Sequence, residues 1–274
     1  MTVLMLNGAL VDADKAVLPA TDRALTHGLG LYETLKLVAG VPVFFEEHLK
    51  RLETGIEALG LDLPCTAAEL AAQICRLSEA SEVLDGACRL LVTAGPPGGR
   101  PSLLVQTEVR VFPARPLRVV AFRGVRVSAQ FKAMTVMQSY LAQQAAAKAG
   151  ADDAILVDDE GRIFEGATSN VFILRDGGLL TTPAEGAILP GVMRAEVEKV
   201  TRAAGVPLVQ AYSHVADLRP DDGMLLTSSV RGIVSVESVD GHRLRVDEEL
   251  AERLRGLVAE DEAASVAAFR AAYL

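Results

Sequence analysis

Long apolar runs are missing from this chain. No window of the 274 residues reaches about 18 uninterrupted apolar positions, so no membrane-spanning helix is expected. The first residues, MTVLMLNGALVDADKA, have no basic stretch leading into a long apolar core, and a cytoplasmic protein is the expectation. Cysteine is scarce. Cys65, Cys75 and Cys88 are odd in number and lack metal-ligand spacing, so they read as reduced thiols. The 4 histidines, His27, His48, His214 and His242, stand apart from one another and from the cysteines, and no metal site is expected. Low-complexity tracts are absent, which argues against disorder. Clusters of Lys and Arg are absent too: 27 basic residues are scattered among 36 acidic ones, for a net charge of −9. A general nucleic-acid binder needs clustered cations to release counterions, so that class is excluded.

What is present is a compact, core-forming composition, 50% hydrophobic and 23% charged. The length exceeds one small core, and two domains are expected. The segment PARP, 113–116, is the natural linker because two prolines stiffen a short polar stretch between strands. This puts a small N-terminal α/β domain at 1–115 and a larger C-terminal domain at 116–274. Asn7-Gly8, Ala39-Gly40 and the RDGG turn mark hairpins. Leu49, Leu52, Ile56 and Leu59 repeat at helical spacing before Gly60, and Leu70, Ile74 and Leu77 do so over 67–80. Strands are expected at 88–93 and 103–112, and helices at 140–148 and 247–268, the last burying Leu250, Leu254 and Val258. Helices and strands alternate irregularly with many hairpins, which indicates an α/β class with mixed sheets and a binding cleft between two domains.

The chemistry concentrates between Phe131 and Asn170. Lys132 is expected to open a helix, and Glu165 closes a strand before the turn GATSN. Read singly, Lys132 is a solvated charge and Glu165 a turn residue. Together they could hold a heterocyclic aldehyde at both ends: a lysine in a partly apolar pocket loses its proton and forms a Schiff base, and a carboxylate beside a pyridine nitrogen keeps the ring electron-poor. That is the outline of a pyridoxal 5'-phosphate site. Further on, Pro190 and Gly191 precede a helix with Met193, Val197 and Val200 as its row. The amides of Val192 and Met193 at its start, with the helix dipole, would attract an anion such as the cofactor phosphate.

The motifs FKAMTVMQSYLAQQAAAKAGADDAILVD, FEGATSNVFIL and ILPGVMR, with DRALTHGLGLYETL and HLKRL upstream, resemble the class IV aminotransferases, fold type IV pyridoxal phosphate enzymes. The family includes branched-chain and D-amino-acid aminotransferases and 4-amino-4-deoxychorismate lyase. The resemblance runs from about Leu6 to about Val246. It implies a homodimer, Arg51 of the HxxR pattern on the phosphate, and Ser228 and Ser229 binding phosphate or a carboxylate. It also implies that Tyr32 and Glu33 lie near the substrate and that Arg100 faces a substrate carboxylate. The threonine that relatives often carry at Met193 is missing here.

Transfer of an amino group between an amino acid and a 2-keto acid is the resulting expectation. The lyase reaction is the alternative. Thr135 and Val136 replace the asparagine-tyrosine pair usual in branched-chain enzymes, while the TSSVRGI turn with Arg231 resembles the lyases' version, and Arg231 is placed to meet a substrate carboxylate. A catalytically silent binding protein is a third reading, opposed by the presence of both Lys132 and Glu165.

Overall fold

The computed structural model describes residues 2–185 and 187–274, which divide into two compact units. The first comprises the chain up to Val111, the short segment Phe131–Thr135, and Asp261–Leu274. The second comprises Phe112–Gln130 and Val136–Glu260. Two segments beyond residue 116 therefore fold with the amino-terminal part.

In the first unit the elements run β1 (Val3–Leu6), β2 (Ala9–Asp12), α1 (Arg23–His27), β3 (Gly30–Val38), β4 (Val41–Pro42), α2 (Phe45–Ala58), α3 (Ala67–Ala80), β5 (Gly86–Thr93) and β6 (Leu103–Glu108). The strands form an antiparallel sheet in the order β2-β1-β6-β5-β3-β4. Its first hairpin turns at Asn7 and Gly8, both at positive φ, the conformation that matches the twist of a two-residue turn. Asp22 caps α1, and Thr66 with Glu69 forms a capping box on α3. The apolar rows of α2 and α3 meet Met5, Leu35, Leu90 and Val105 in one core. Phe269 of the carboxy-terminal segment joins this core with its ring edge-on to Phe45, 5.2 Å away. Two expectations fail here. Leu59 is exposed, because α2 ends at Ala58 and the chain turns outward there. Strand β6 stops at Glu108 rather than 112: Glu108 pairs with Ala87 near the start of β5, and Val109 and Val111 are exposed beyond it.

The second unit contains β7 (Leu117–Arg123), α4 (Met137–Lys148), β8 (Asp153–Val157), β9 (Arg162–Gly166), β10 (Asn170–Arg175), β11 (Gly178–Thr181), α5 (Val192–Ala203), β12 (Leu208–Gln210), β13 (Ser213–His214), β14 (Gly223–Ser228), β15 (Gly232–Val239), β16 (His242–Arg243) and α6 (Glu248–Tyr273). From Asp261 onward α6 belongs to the first unit. The sheet runs β12-β11-β10-β14-β15-β7-β8-β9-β13, with β16 on β15. It is mixed: β15, β7 and β8 are parallel neighbours, as are β11 and β12. Leu117, Val119, Ile155, Val171, Leu226 and Val236 build one core, and Ala142 and Ala146 of α4 pack on Ala154 and Leu156 in another. The final helix extends past 268 to Tyr273, and its buried row is Ala251, Leu254 and Val258, with Leu250 half-buried.

Candidate active site

Lys132 does not open a helix, since α4 begins only at Met137. The residues around it are instead annexed to β3 in the first unit. Tyr32 donates its N–H to the Lys132 carbonyl at 2.9 Å, Met134 donates to Gly30 at 3.0 Å, and Leu31 bridges Ala133. With its carbonyl taken by Tyr32 and its neighbour paired as a β-bridge, Lys132 sits in extended, strand-like pairing instead of opening a helix. Gly30 permits the approach: a Cβ there would lie 2.5 Å from the Met134 sulfur and 2.7 Å from the Val92 carbonyl. The Lys132 ammonium rests 4.7 Å from the centre of the Tyr32 ring, and the Arg89 guanidinium lies 4.8 Å from the same ring. Arg89 was not singled out in the sequence. Its signal was the register, since Arg89 on β5 faces Thr34, two residues from Tyr32 and on the same side of the sheet. The Arg89 Nε is buried with no partner among the described residues. Arg100 is exposed in the loop between β5 and β6.

Glu33 points the other way. Strand alternation puts it with Leu31, Leu35 and Leu37 on the face that packs on α2. There Arg51 grips it with both prongs, Nε to Oε1 at 2.8 Å and Nη2 to Oε2 at 2.6 Å, and His48 Nδ1 donates to Oε2 at 2.7 Å. His48 and Arg51 are three apart on α2, hence on one face. Both Glu33 and His48 are 1% exposed. Burial alone would raise the Glu33 carboxyl, but the Arg51 charge, then His48, and the hydrogen bonds from both bring it down to about 2. Burial lowers His48 below the ordinary imidazole value, and Glu33 offsets only part of that. The ring is neutral near pH 7, and its buried Nε2 has no partner among the described residues.

In the second unit Glu165 is 2% exposed at the end of β9. Arg126 donates from Nε to Oε1 at 2.8 Å and from Nη2 to the Ala167 carbonyl at 3.4 Å, while the Leu189 N–H reaches Oε2 at 3.2 Å. Arg126 was missed in the sequence, since it sits in an irregular segment 39 positions earlier. Helix α5 starts at Val192 with Gly191 as its first flanking residue and no side-chain cap. The side chains of Val192 and Met193 are buried, so their contribution at the helix start is main-chain amides. Ser228 and Ser229 are half-buried in the turn from β14 to β15, closed by the pairing of Ser228 with Gly232 at φ 73°. Arg231 follows them, with its Nη1 3.0 Å from Asp153 and its guanidinium 5.0 Å from the Phe112 ring centre. Burial raises Asp153 above the ordinary aspartate value, and the Arg231 charge counters part of that rise.

Comparison with known proteins gives the family. The model described as amino-transferase class IV matches residues 30–239, well over half of the chain. The chain belongs to the class IV aminotransferase family. A D-alanine aminotransferase of Bacillus licheniformis is 26% identical over 254 residues, covering 88% of this chain and 89% of that one. Among solved structures, the branched-chain aminotransferase of Thermoproteus uzoniensis with norvaline superposes with a TM-score of 0.86 at 25% identity, over 95% of this chain and 96% of that one. The PLP-bound form of a hypothetical aminotransferase from Mycobacterium tuberculosis gives 0.83 at 27% identity, over 96% and 99%. Two units with mixed α/β content are the class IV architecture in this chain.

Proposed function

We propose that this class IV protein is a pyridoxal 5'-phosphate-dependent aminotransferase that moves an amino group between an amino acid and a 2-keto acid. The observation that carries the reading is the setting of Lys132, whose carbonyl accepts from β3, whose segment is tied to the same strand again at Met134, and whose amine lies against an aromatic ring. The donor set fits the group: one anchored amine, a buried carboxylate with a guanidinium counter-charge, and an uncapped helix start preceded by a glycine that has no room for a Cβ. When bound, the cofactor supplies an aldehyde that takes up amino groups and a ring that draws electrons from the adjacent carbon. Lys132 is then the anchoring amine and the general base for the proton on the substrate's α-carbon. Glu165, with Arg126 as counter-charge, partners the ring nitrogen. Arg51, the amides of Val192 and Met193, and Ser228 with Ser229 hold the phosphate. Tyr32, Arg89 and Arg100 meet the substrate, the two arginines as carboxylate partners. Arg231, held on Asp153, is assigned to packing.

The assembly this reading expects is a homodimer in the cytoplasm. The exposed Met137, Tyr140 and Leu141, which share one face of α4, support a protein partner there. Among the described residues no helix is long and apolar enough to cross a membrane.

The test is a panel of L- and D-amino acids with 2-oxoglutarate or pyruvate, run on wild type and on Lys132→Ala. Wild type is expected to be yellow, to carry a borohydride-fixed adduct on one lysine, and to transfer the amino group; Lys132→Ala is expected to lose all three. A retained visible band in the variant would sink the assignment. Release of pyruvate from 4-amino-4-deoxychorismate without amino transfer would move the chain to the lyase branch.

A further inference from the structure

The FEGATSN motif does more than carry Glu165. It grips a single residue of the ILPG loop, Leu189, by both of its main-chain polar groups. The Leu189 N–H donates to Glu165 Oε2 at 3.2 Å, and the Leu189 carbonyl accepts from Asn170 Nδ2 at 3.0 Å. Both gripping side chains are buried, Asn170 at 4% exposure. The turn between them is itself closed, with the Gly166 N–H bonded to the Ser169 carbonyl at 2.7 Å. Asn170 also fills the space beside the residue that precedes α5. A Cβ on Gly191 would lie 2.0 Å from Asn170 Oδ1 and 3.2 Å from its Cγ. On its other side Asn170 is registered against Thr227 of β14, one residue from Ser228. One amide side chain therefore touches the loop at two points, at the carbonyl of Leu189 and against Gly191, immediately before the amides of Val192 and Met193.

We infer that Asn170 is a positioning residue: with Glu165 it fixes the main chain on both sides of Leu189, and so sets where the first amides of α5 point and how tightly they hold an anion. This rests on the proposed function in one respect, that the anion is the phosphate of pyridoxal phosphate. The physical reason is that a backbone anion site works only when its N–H groups are held in place beforehand, and a loop with one free carbonyl would swing. Glu165 and the phosphate-binding amides are thereby set relative to each other by one short motif. Loss of Asn170 acts on the phosphate end and leaves the Lys132 and Glu165 side chains intact.

The experiment compares two ligands on apo-protein. Wild type and Asn170→Ala are titrated with pyridoxal 5'-phosphate and, separately, with pyridoxal, which lacks the phosphate, and dissociation constants are read from the visible absorbance. Asn170→Ala is expected to weaken pyridoxal phosphate by about tenfold, the scale of one well-placed hydrogen bond, and to leave pyridoxal within about twofold. Equal weakening of both ligands would mean a general structural role, and an unchanged affinity for pyridoxal phosphate would mean no role; either overturns the inference. If Asn170→Ala does not fold, Gly191→Ala presses on the same Asn170 side chain from the other side and should give the same phosphate-selective loss. A wild type that binds neither ligand would instead bring down the cofactor reading itself, which separates the two failures.

Discussion

Each unit buries a glutamate of the candidate site against a guanidinium, Glu33 on Arg51 and Glu165 on Arg126, but the two are held for different ends. Glu33 is closed by side chains alone: the Arg51 fork occupies both oxygens and His48 adds a third donor. Glu165 is shared between chain segments, with Arg126 on one oxygen and the Leu189 backbone on the other. The first arrangement fixes where a side chain points, since Arg51 can swing only by breaking two charge-assisted bonds. The second fixes where a loop runs. A buried ion pair is weak evidence for stability as such, but removing one partner leaves an uncompensated charge, so the two glutamates should respond differently to the same isosteric change.

The largest effect is expected for Glu33→Gln. The amide cannot meet the Arg51 fork with two acceptors, and Arg51 is left with no carboxylate opposite it. The loss should be about 3 kcal/mol, or roughly 6–12 °C for a chain of this size, read in the thermal transition that reports the first unit. Its pH dependence has a definite sign. The folded carboxyl lies at about 2 against an ordinary 4.5, so the stabilisation is fully present above 4.5 and is lost as pH falls toward 2. The gap between wild type and Glu33→Gln should close across that window. A gap that stays constant in acid would mean that Glu33 is not held as an anion.

Glu165→Gln is expected to be milder in the apo-protein, because one amide oxygen can still accept from Leu189 and only the Arg126 pair is lost. We expect about 1–2 kcal/mol, with a visible spectrum of the cofactor that no longer matches wild type. A thermal loss as large as that of Glu33→Gln would erase the distinction between a side-chain clamp and a loop clamp.

Local signals made parts of the molecule legible in the sequence. The rows of α2 and α3, the Asn7-Gly8 turn and the helix start after Gly191 all follow from spacing within a few residues. Pairing at long range was not legible. Nothing near Lys132 announces that its segment bonds to β3, some hundred positions earlier, and local pattern favoured a helix start instead. Strand β7 was implied after the PARP segment, but its extent and its partners were not legible, since β8 and β15 lie farther along the chain. In the site, motifs pointed to Lys132 and Glu165, whereas Arg126, Arg89 and Asn170 acquire meaning only through contacts. Glu33 is the instructive case. Family resemblance groups it with Tyr32, but a period of two places neighbours on opposite faces, and that rule alone separates an aromatic residue beside Lys132 from a carboxylate under α2.

A third pair, Arg231 with Asp153, sharpens the comparison because the sequence placed its arginine at a substrate carboxylate. If Arg231 is a clamp like Arg51, Arg231→Ala should destabilise the second unit by about 1–2 kcal/mol, a carboxylate losing its charged partner. The sign with pH is opposite to that of Glu33. Burial raises Asp153, so the folded form binds a proton more tightly than the unfolded chain, and this group's contribution declines as pH rises through its folded value. Without Arg231 that value rises further. The deficit of the variant should therefore be least where Asp153 is protonated in both proteins, widen as pH rises through the folded values, and level off once Asp153 is ionised in both. Kinetics supply the second reading: if Arg231 is a clamp, Arg231→Ala leaves the ratio of KM for pyruvate to KM for 2-oxoglutarate unchanged, because neither acceptor touches it. A rise confined to 2-oxoglutarate, with thermal stability unchanged across this range, would return Arg231 to the substrate and leave Asp153 without a structural partner.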